Sequence, residues 1–172
     1  MPCNLNFNEC NSFINFPVPI FNCRCRLIAL LNSSTTTVIN PPIVLANASF
    51  VATAQTVATQ GNVVFALSSS TGTGITTDNA GNITLPTGRY LVSTSINGLI
   101  PTNGTAIFAL YQDGSQITAS TVQVTGTSGA NYSTSMNNVV VVNSGSSTLS
   151  LRNINSVSQT VNNASLIIQK LA

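Results

Sequence analysis

The sequence predicts an all-β fold, an antiparallel jelly-roll sandwich of about 8–10 strands preceded by an extended N-terminal arm. Three observations carry that expectation. From Asn62 onward, short apolar runs alternate with turn clusters about every 8–12 residues, and no run shows a helical period. Of the 172 residues 43% are hydrophobic and only 5% charged, against roughly 25% charged in an ordinary domain, and the polar complement is mostly Thr, Ser, Asn and Gln. All four cysteines, and most of the phenylalanines, fall in the first 35 residues. The expected organisation is a cysteine-containing connector arm over 1–35, a linker or first strand over 36–61 and the jelly-roll domain over 62–172.

The arm reads as extended chain. Pro17 and Pro19 each restrict themselves and the residue before them, which disfavours helix. Some 25 extended residues would reach roughly 80 Å, far beyond the ~13 Å radius of gyration of a domain of about 110 residues. The arm is therefore long enough to contact a neighbouring subunit. Cys23 and Cys25 flank Arg24, so in a strand both thiols face one side with Cα atoms about 6.6 Å apart, near the upper limit for a disulfide. Cys3 and Cys10 would lie roughly 23 Å apart if extended. Intermolecular bridges to two different neighbours fit that geometry. Free thiols and a tetrathiolate metal site are the competing readings, and the C-x6-C-x12-C-x-C spacing lacks the paired C-x2-C knuckles of the latter, so no metal is expected. Phe7, Phe13, Phe16 and Phe21 are the expected apolar anchors of the arm, unless they form a small core of its own.

The chain then passes through Asn40-Pro41-Pro42 into Ala46–Thr59, where the Val, Thr and Phe content favours strand over helix. Val63–Leu67 is the next apolar run. Gly81–Ile96 reads as strand, tight turn at Pro86-Thr87-Gly88, and strand, with Tyr90, Val92, Thr94 and Ile96 on one face and Leu91, Ser93 and Ser95 on the other. Asn97-Gly98 and Pro101–Gly104 are turn signals, Thr105–Gln112 is stopped by the hairpin dipeptide Asp113-Gly114, and Gln116–Val124 ends at Gly126–Gly129. Tyr132–Val142, a turn at Asn143–Gly145, Ser147–Ile154 and Ala164–Leu171 complete the count. Several strands are apolar on both faces. A second buried face suggests subunit contact, the alternative being an inner strand covered by a loop, and the expected interface residues are Ile107, Phe108, Tyr111, Val139, Val141 and Ile167.

Charge and residue type exclude most chemistry. The formal net charge of +2 is scattered singly, leaving no basic cluster for nucleic acid. The chain has no histidine, which removes Ser-His-Asp, Cys-His and histidine-metal sites. Glu9, Asp78 and Asp113 are isolated, Thr71–Gly74 lacks the lysine of a phosphate loop, and one carboxylate at Asp78-Asn79 is a poor calcium site. No enzyme and no cofactor is expected. The early apolar run Leu27–Leu31 is too short to span a bilayer, so no membrane partner is expected either. Met1–Glu9 has no basic n-region of a secretory signal, so export would need another route, such as release when the surrounding cell lyses.

Within residues 62–172, the stretches ITTDNAGNITLPTGRYLVSTSIN, ALYQDGSQITAS, VVVVNSGSSTLSLRNI and ASLIIQKL occur in an order that resembles the C-terminal domain of collagen-like exosporium glycoproteins of spore-forming bacilli. Those domains are similar to the complement and tumour-necrosis-factor type of jelly-roll trimer. The chain departs from them in having no Gly-X-Y stalk; the cysteine arm stands in its place, an arrangement similar to the subunits of endospore appendage fibres. The resemblance implies a homotrimeric jelly roll stacked into a disulfide-crosslinked, pilus-like filament on a spore surface, with copies of itself, an exosporium anchor and a tip protein as partners. The alternative is a trimeric tip domain that binds a receptor or glycan.

Overall fold

A computed structural model describes residues 45–171 with the exception of Thr73. The described residues belong to one compact unit, Val44–Ala172. The arm residues Cys3, Cys10, Cys23, Cys25, Phe7, Phe13, Phe16 and Phe21 lie outside them.

Nine strands form: β1 (Asn47–Ala52), β2 (Gln55–Val57), β3 (Ala66–Thr71), β4 (Thr76–Thr77), β5 (Ile83–Leu99), β6 (Thr105–Gln112), β7 (Ser115–Thr125), β8 (Asn131–Asn153) and β9 (Gln159–Leu171). Every pairing is antiparallel. The domain is an all-β jelly roll, and the described residues contain no helix.

Two strands create both layers. The 17-residue β5 and 23-residue β8 pair with each other along almost the whole of β5. Beyond Gly88, β5 has β9 on its other side, and β9 pairs with β1, which pairs with the edge strand β3. Before Pro86, β5 has β4 on its other side, while the C-terminal end of β8 pairs with β6 and β6 with β7. The first layer is thus β3-β1-β9-β5-β8 and the second is β4-β5-β8-β6-β7. At the crossing, the step from Pro86 to Gly88 spans Ser146 to Val142 on β8. Asn143–Gly145 bulge opposite Thr87, whose Oγ1 donates to the Gly145 carbonyl at 3.0 Å.

This corrects the expected turns at Pro86–Gly88 and Asn143–Gly145. Both are bends inside continuous strands. Gly, Pro, Asn and Ser release the backbone from flat pairing in the same way at a turn and at a bulge. Only the partner strand, kinked at the same level, keeps the ladder running through. Asn97-Gly98 is corrected likewise: it lies inside β5, where the register with β9 shifts by one residue. A Cβ at Gly98 would stand 2.1 Å from the Thr160 carbonyl oxygen and 2.8 Å from Tyr132 Oη, so the close approach of β9 requires glycine there. The Asp113-Gly114 hairpin forms as expected, with both residues at positive φ (49° and 79°) and Gln112 paired with Ser115. Pro101–Gly104 also turns, closed by the Gly104 N–H to the Pro101 carbonyl at 2.9 Å.

The segment 36–61 supplies β1 and β2, and β1 lies between β3 and β9, so the jelly roll begins before Asn62. The run Val63–Leu67 becomes a strand only from Ala66. Val63 and Phe65 are buried, and the Gln55 side chain holds Val64 in place of a strand neighbour, donating to its carbonyl at 3.0 Å and accepting from its N–H at 2.9 Å.

The two layers enclose one apolar core. Tyr90, Val92, Thr94 and Ile96 point into it as the alternation predicts, joined by Phe50, Leu166 and Ile168 from the first layer and Ile83, Leu85, Phe108, Leu110, Leu149 and Leu151 from the second. Each of the valine, leucine, isoleucine and phenylalanine side chains contributes about 1.5–3 kcal/mol on burial. At one end a buried amide, Asn153, fixes the loops. Its Nδ2 donates to the carbonyls of Val57, Ala58 and Val157 at 2.9–3.1 Å, and its Oδ1 accepts from Asn155 N at 2.9 Å and Gln159 Nε2 at 2.6 Å. Buried carbonyls at a loop crossing need such donors, because an unmet one costs about 1–3 kcal/mol.

Gly98→Ala is expected to lower unfolding free energy by about 1–3 kcal/mol, through forced separation of β5 from β9. Urea denaturation followed by fluorescence or circular dichroism checks it, and an unchanged midpoint would show that the strands need not approach so closely.

Candidate self-association surface

The outward face of the first layer is assembled by register. Directly opposed residues on it form the rows Asn47, Gln169, Leu91, Val139 and Ser49, Ile167, Ser93, Asn137, flanked by Val51, Ser165, Ser95, Ser135 on one side and Leu171, Arg89, Val141 on the other. The alternation that sends Tyr90 and Val92 into the core sends Arg89, Leu91 and Ser93 to this face. In these rows Arg89 is the one formal charge; everything else is apolar, hydroxyl or amide. Val139, Val141 and Ile167 leave 48%, 43% and 43% of their surface exposed, in strands that otherwise bury their apolar side chains. This grouping makes the outward face of the first layer the candidate contact surface.

The six residues expected at an interface do not form one surface. Val139, Val141 and Ile167 are brought together on the first layer, with half-buried Leu91 beside them. Phe108 is a correction. It is fully buried in the domain's own core, on the face of β6 that carries Ala106 and Leu110, and no second molecule can reach it. Ile107 and Tyr111 lie on the other face of β6, in the second layer, and both are half-buried. Tyr111 is covered from within the chain, because the Arg152 guanidinium sits 4.5 Å from its ring centroid. Sequence reasoning missed Val51 and Leu91. The alternation around each was visible, but which strands stand side by side was not.

The scattered polar groups are occupied by structure. The Asp78 carboxylate accepts from Ala80 N, Asn82 N and Asn82 Nδ2, each at 2.8 Å, which shapes the β4–β5 turn. The Asn82 side-chain amide is the main reason that Asp78 is held below the ordinary carboxylate range. Asp113 accepts from Thr148 N and Ser147 Oγ, both at 2.7 Å, tying the hairpin to β8, and these bonds lower its pKa too, the Thr148 N–H most. Burial pushes the Tyr132 hydroxyl up to about 12. Among the described residues no three His, Cys, Asp or Glu side chains gather into a possible metal site. No described helix is long and apolar enough to cross a membrane.

No protein-family model and no curated protein matches the chain. Solved structures do. The Eiger tumour-necrosis factor of S. frugiperda aligns over 75% of this chain and 94% of its own, at 16% identity and a TM-score of 0.63. The globular domain of zebrafish complement 1qA aligns over 73% and 95%, at 11% identity and 0.57. The PRD1 vertex protein P5 aligns over 75% and 99%, at 18% identity and 0.52. At these identities the likeness is one of fold, a tumour-necrosis-factor-like and complement-like jelly roll.

Two outcomes follow. Phe108→Ala should cost about 3–5 kcal/mol of stability, whereas Val139→Ala should change the stability of the dissociated chain by less than about 0.5 kcal/mol; denaturant titration at low protein concentration separates them. The melting temperature should be flat between about pH 5 and 9 for want of histidine. It should fall below about pH 4, where the depressed carboxylates Asp78 and Asp113 become protonated and lose contributions present above the unfolded pKa. It should fall again above about pH 10, where an unfolded tyrosine ionises and buried Tyr132 does not, until about 12. Calorimetry across pH checks the plateau, and a midpoint slope between pH 5 and 8 would contradict it.

Proposed function

We propose that this chain is a structural subunit that self-assembles, as a homotrimer and by stacking of such units, into a disulfide-crosslinked fibre on a bacterial spore surface. The observation that carries the reading is the outward face of the first layer, with exposed Val139, Val141 and Ile167 and Arg89 as the single charge in its opposed rows. A surface with so little charge has little to oppose association with its own copies. The fold likeness supports it, because the surface belongs to a rigid sheet of the tumour-necrosis-factor and complement type. In this reading Cys3, Cys10, Cys23 and Cys25 make the joints between copies covalent, Phe7, Phe13, Phe16 and Phe21 seat the arm, and an exosporium anchor and a tip protein hold the two ends. The fibre then resists heat and denaturant until reduced. Its role is mechanical, and no catalytic step enters it.

Denaturing electrophoresis with and without reductant, beside electron microscopy of the same sample, tests the proposal. A reductant-sensitive ladder and filaments are expected. The paired substitutions Cys23→Ser and Cys25→Ser should leave the jelly roll folded and weaken the polymer. A monomer indifferent to reductant, with no filaments, would overturn the reading in favour of a receptor- or glycan-binding tip domain.

A further inference from the structure

Exposed apolar side chains occur at a second place on the first layer, at its opposite edge. Val51 of β1, Leu67 of β3 and Val64 before it are exposed to about the same degree as Val139 and Val141. They line an open groove of about 430 Å³, floored by Phe65 and Ala66 and rimmed by Asp78 and its neighbours. The Val139–Val141 ridge lies on β8, one edge of a five-stranded layer, and the groove on β1, the opposite edge strand β3 and the residues before it. Three to four strand spacings separate them, about 14–19 Å.

Their charges are opposite. The ridge carries Arg89, paired in register with Val141. The groove carries Asp78, whose carboxylate is fixed by three hydrogen bonds from the β4–β5 turn and keeps its charge. Residues 66–71 and 131–142, on the two edges of the layer, contain no charged residue and no proline, and β3 is bulged once, at Ser68, against β1. In the second layer one edge strand is only two residues long, and the other, β7, is broken at Ala119, which has a φ of 61°.

We infer that copies of this chain associate head to tail, the Val139–Val141 ridge and Arg89 of one copy seating in the Val51–Val64–Leu67 groove beside Asp78 of the next. The inference rests on the self-assembly reading above and specifies its geometry. Two different, complementary patches make a heterologous contact, which repeats around a ring or along a filament; a self-complementary patch would stop at a dimer. The Asp78–Arg89 pair fixes the direction of the contact and disfavours groove against groove or ridge against ridge, where like charges would meet.

The test uses the full chain under reductant, so that only the non-covalent contact is read by sedimentation velocity. Leu67→Lys and Val139→Glu alter exposed side chains, and circular dichroism and melting temperature verify that each variant is folded. Each alone should weaken association by about tenfold or more, and the double variant, with lysine and glutamate now facing one another across the contact, should recover most of it. If Leu67→Lys associates as the unmodified chain does, the groove is no partner and the inference fails. A double variant no better than the singles overturns it as well, because the two patches then do not meet. A different result, an unmodified chain that stays monomeric with and without reductant, removes the self-assembly reading itself.

Discussion

The fold depends on one ladder, the pairing of β5 with β8 from Ile83–Leu149 to Leu99–Asn131. Because both strands run through both layers, their hydrogen bonds fix the spacing and mutual angle of the two sheets. A bend at a single strand would open the ladder. Here Thr87 on one strand meets Asn143–Gly145 on the other, and the Thr87 hydroxyl binds the bulged chain. Every other strand is added to one side or the other of this pair. β9, β1 and β3 extend the first layer, while β4, β6 and β7 build the second.

With the frame set, the ends need separate anchoring, and the chain uses neutral amides for it. Asn153 and Gln159 satisfy the carbonyls of Val57 in β2, Ile107 in β6 and Val157 in the β8–β9 loop without burying a charge. The two described carboxylates serve turns in the same fashion, Asp78 in its own loop and Asp113 across to β8. Such groups hold the fold at any ordinary pH, since amides do not titrate and both carboxylates are ionised well below neutrality.

The same economy of charge shapes the surface. Serine and asparagine keep the outward face of the first layer wettable, while Val51, Ile167, Leu91, Val139 and Val141 interrupt it from β1 across to β8. In its opposed rows Arg89 is the one charge that opposes a second copy set ridge against ridge. Its specificity then has to come from shape and from the few charges present, so the position of Arg89 and Asp78 at opposite edges carries more weight than it would on an ordinary charged surface.

The sequence by itself determined the strand content, the faces of β5 from Tyr90 to Ile96, the Asp113-Gly114 hairpin and the absence of histidine chemistry. These follow from period-two alternation and local turn stereochemistry, which act over a few residues. Tertiary structure alone decided that Pro86–Gly88, Asn97-Gly98 and Asn143–Gly145 are bulges, since a kinked strand and a turn use the same residues and differ only in what lies alongside. It also decided that Phe108 is core while Val139 and Val141 are surface. All three stand in runs apolar on both faces, and the choice of face is made by the layer that packs against it. The grouping of Val51, Val64 and Leu67 with Asp78 into one groove was likewise invisible in the chain, because it depends on β3 taking the outer edge beside β1 rather than pairing with its sequence neighbours.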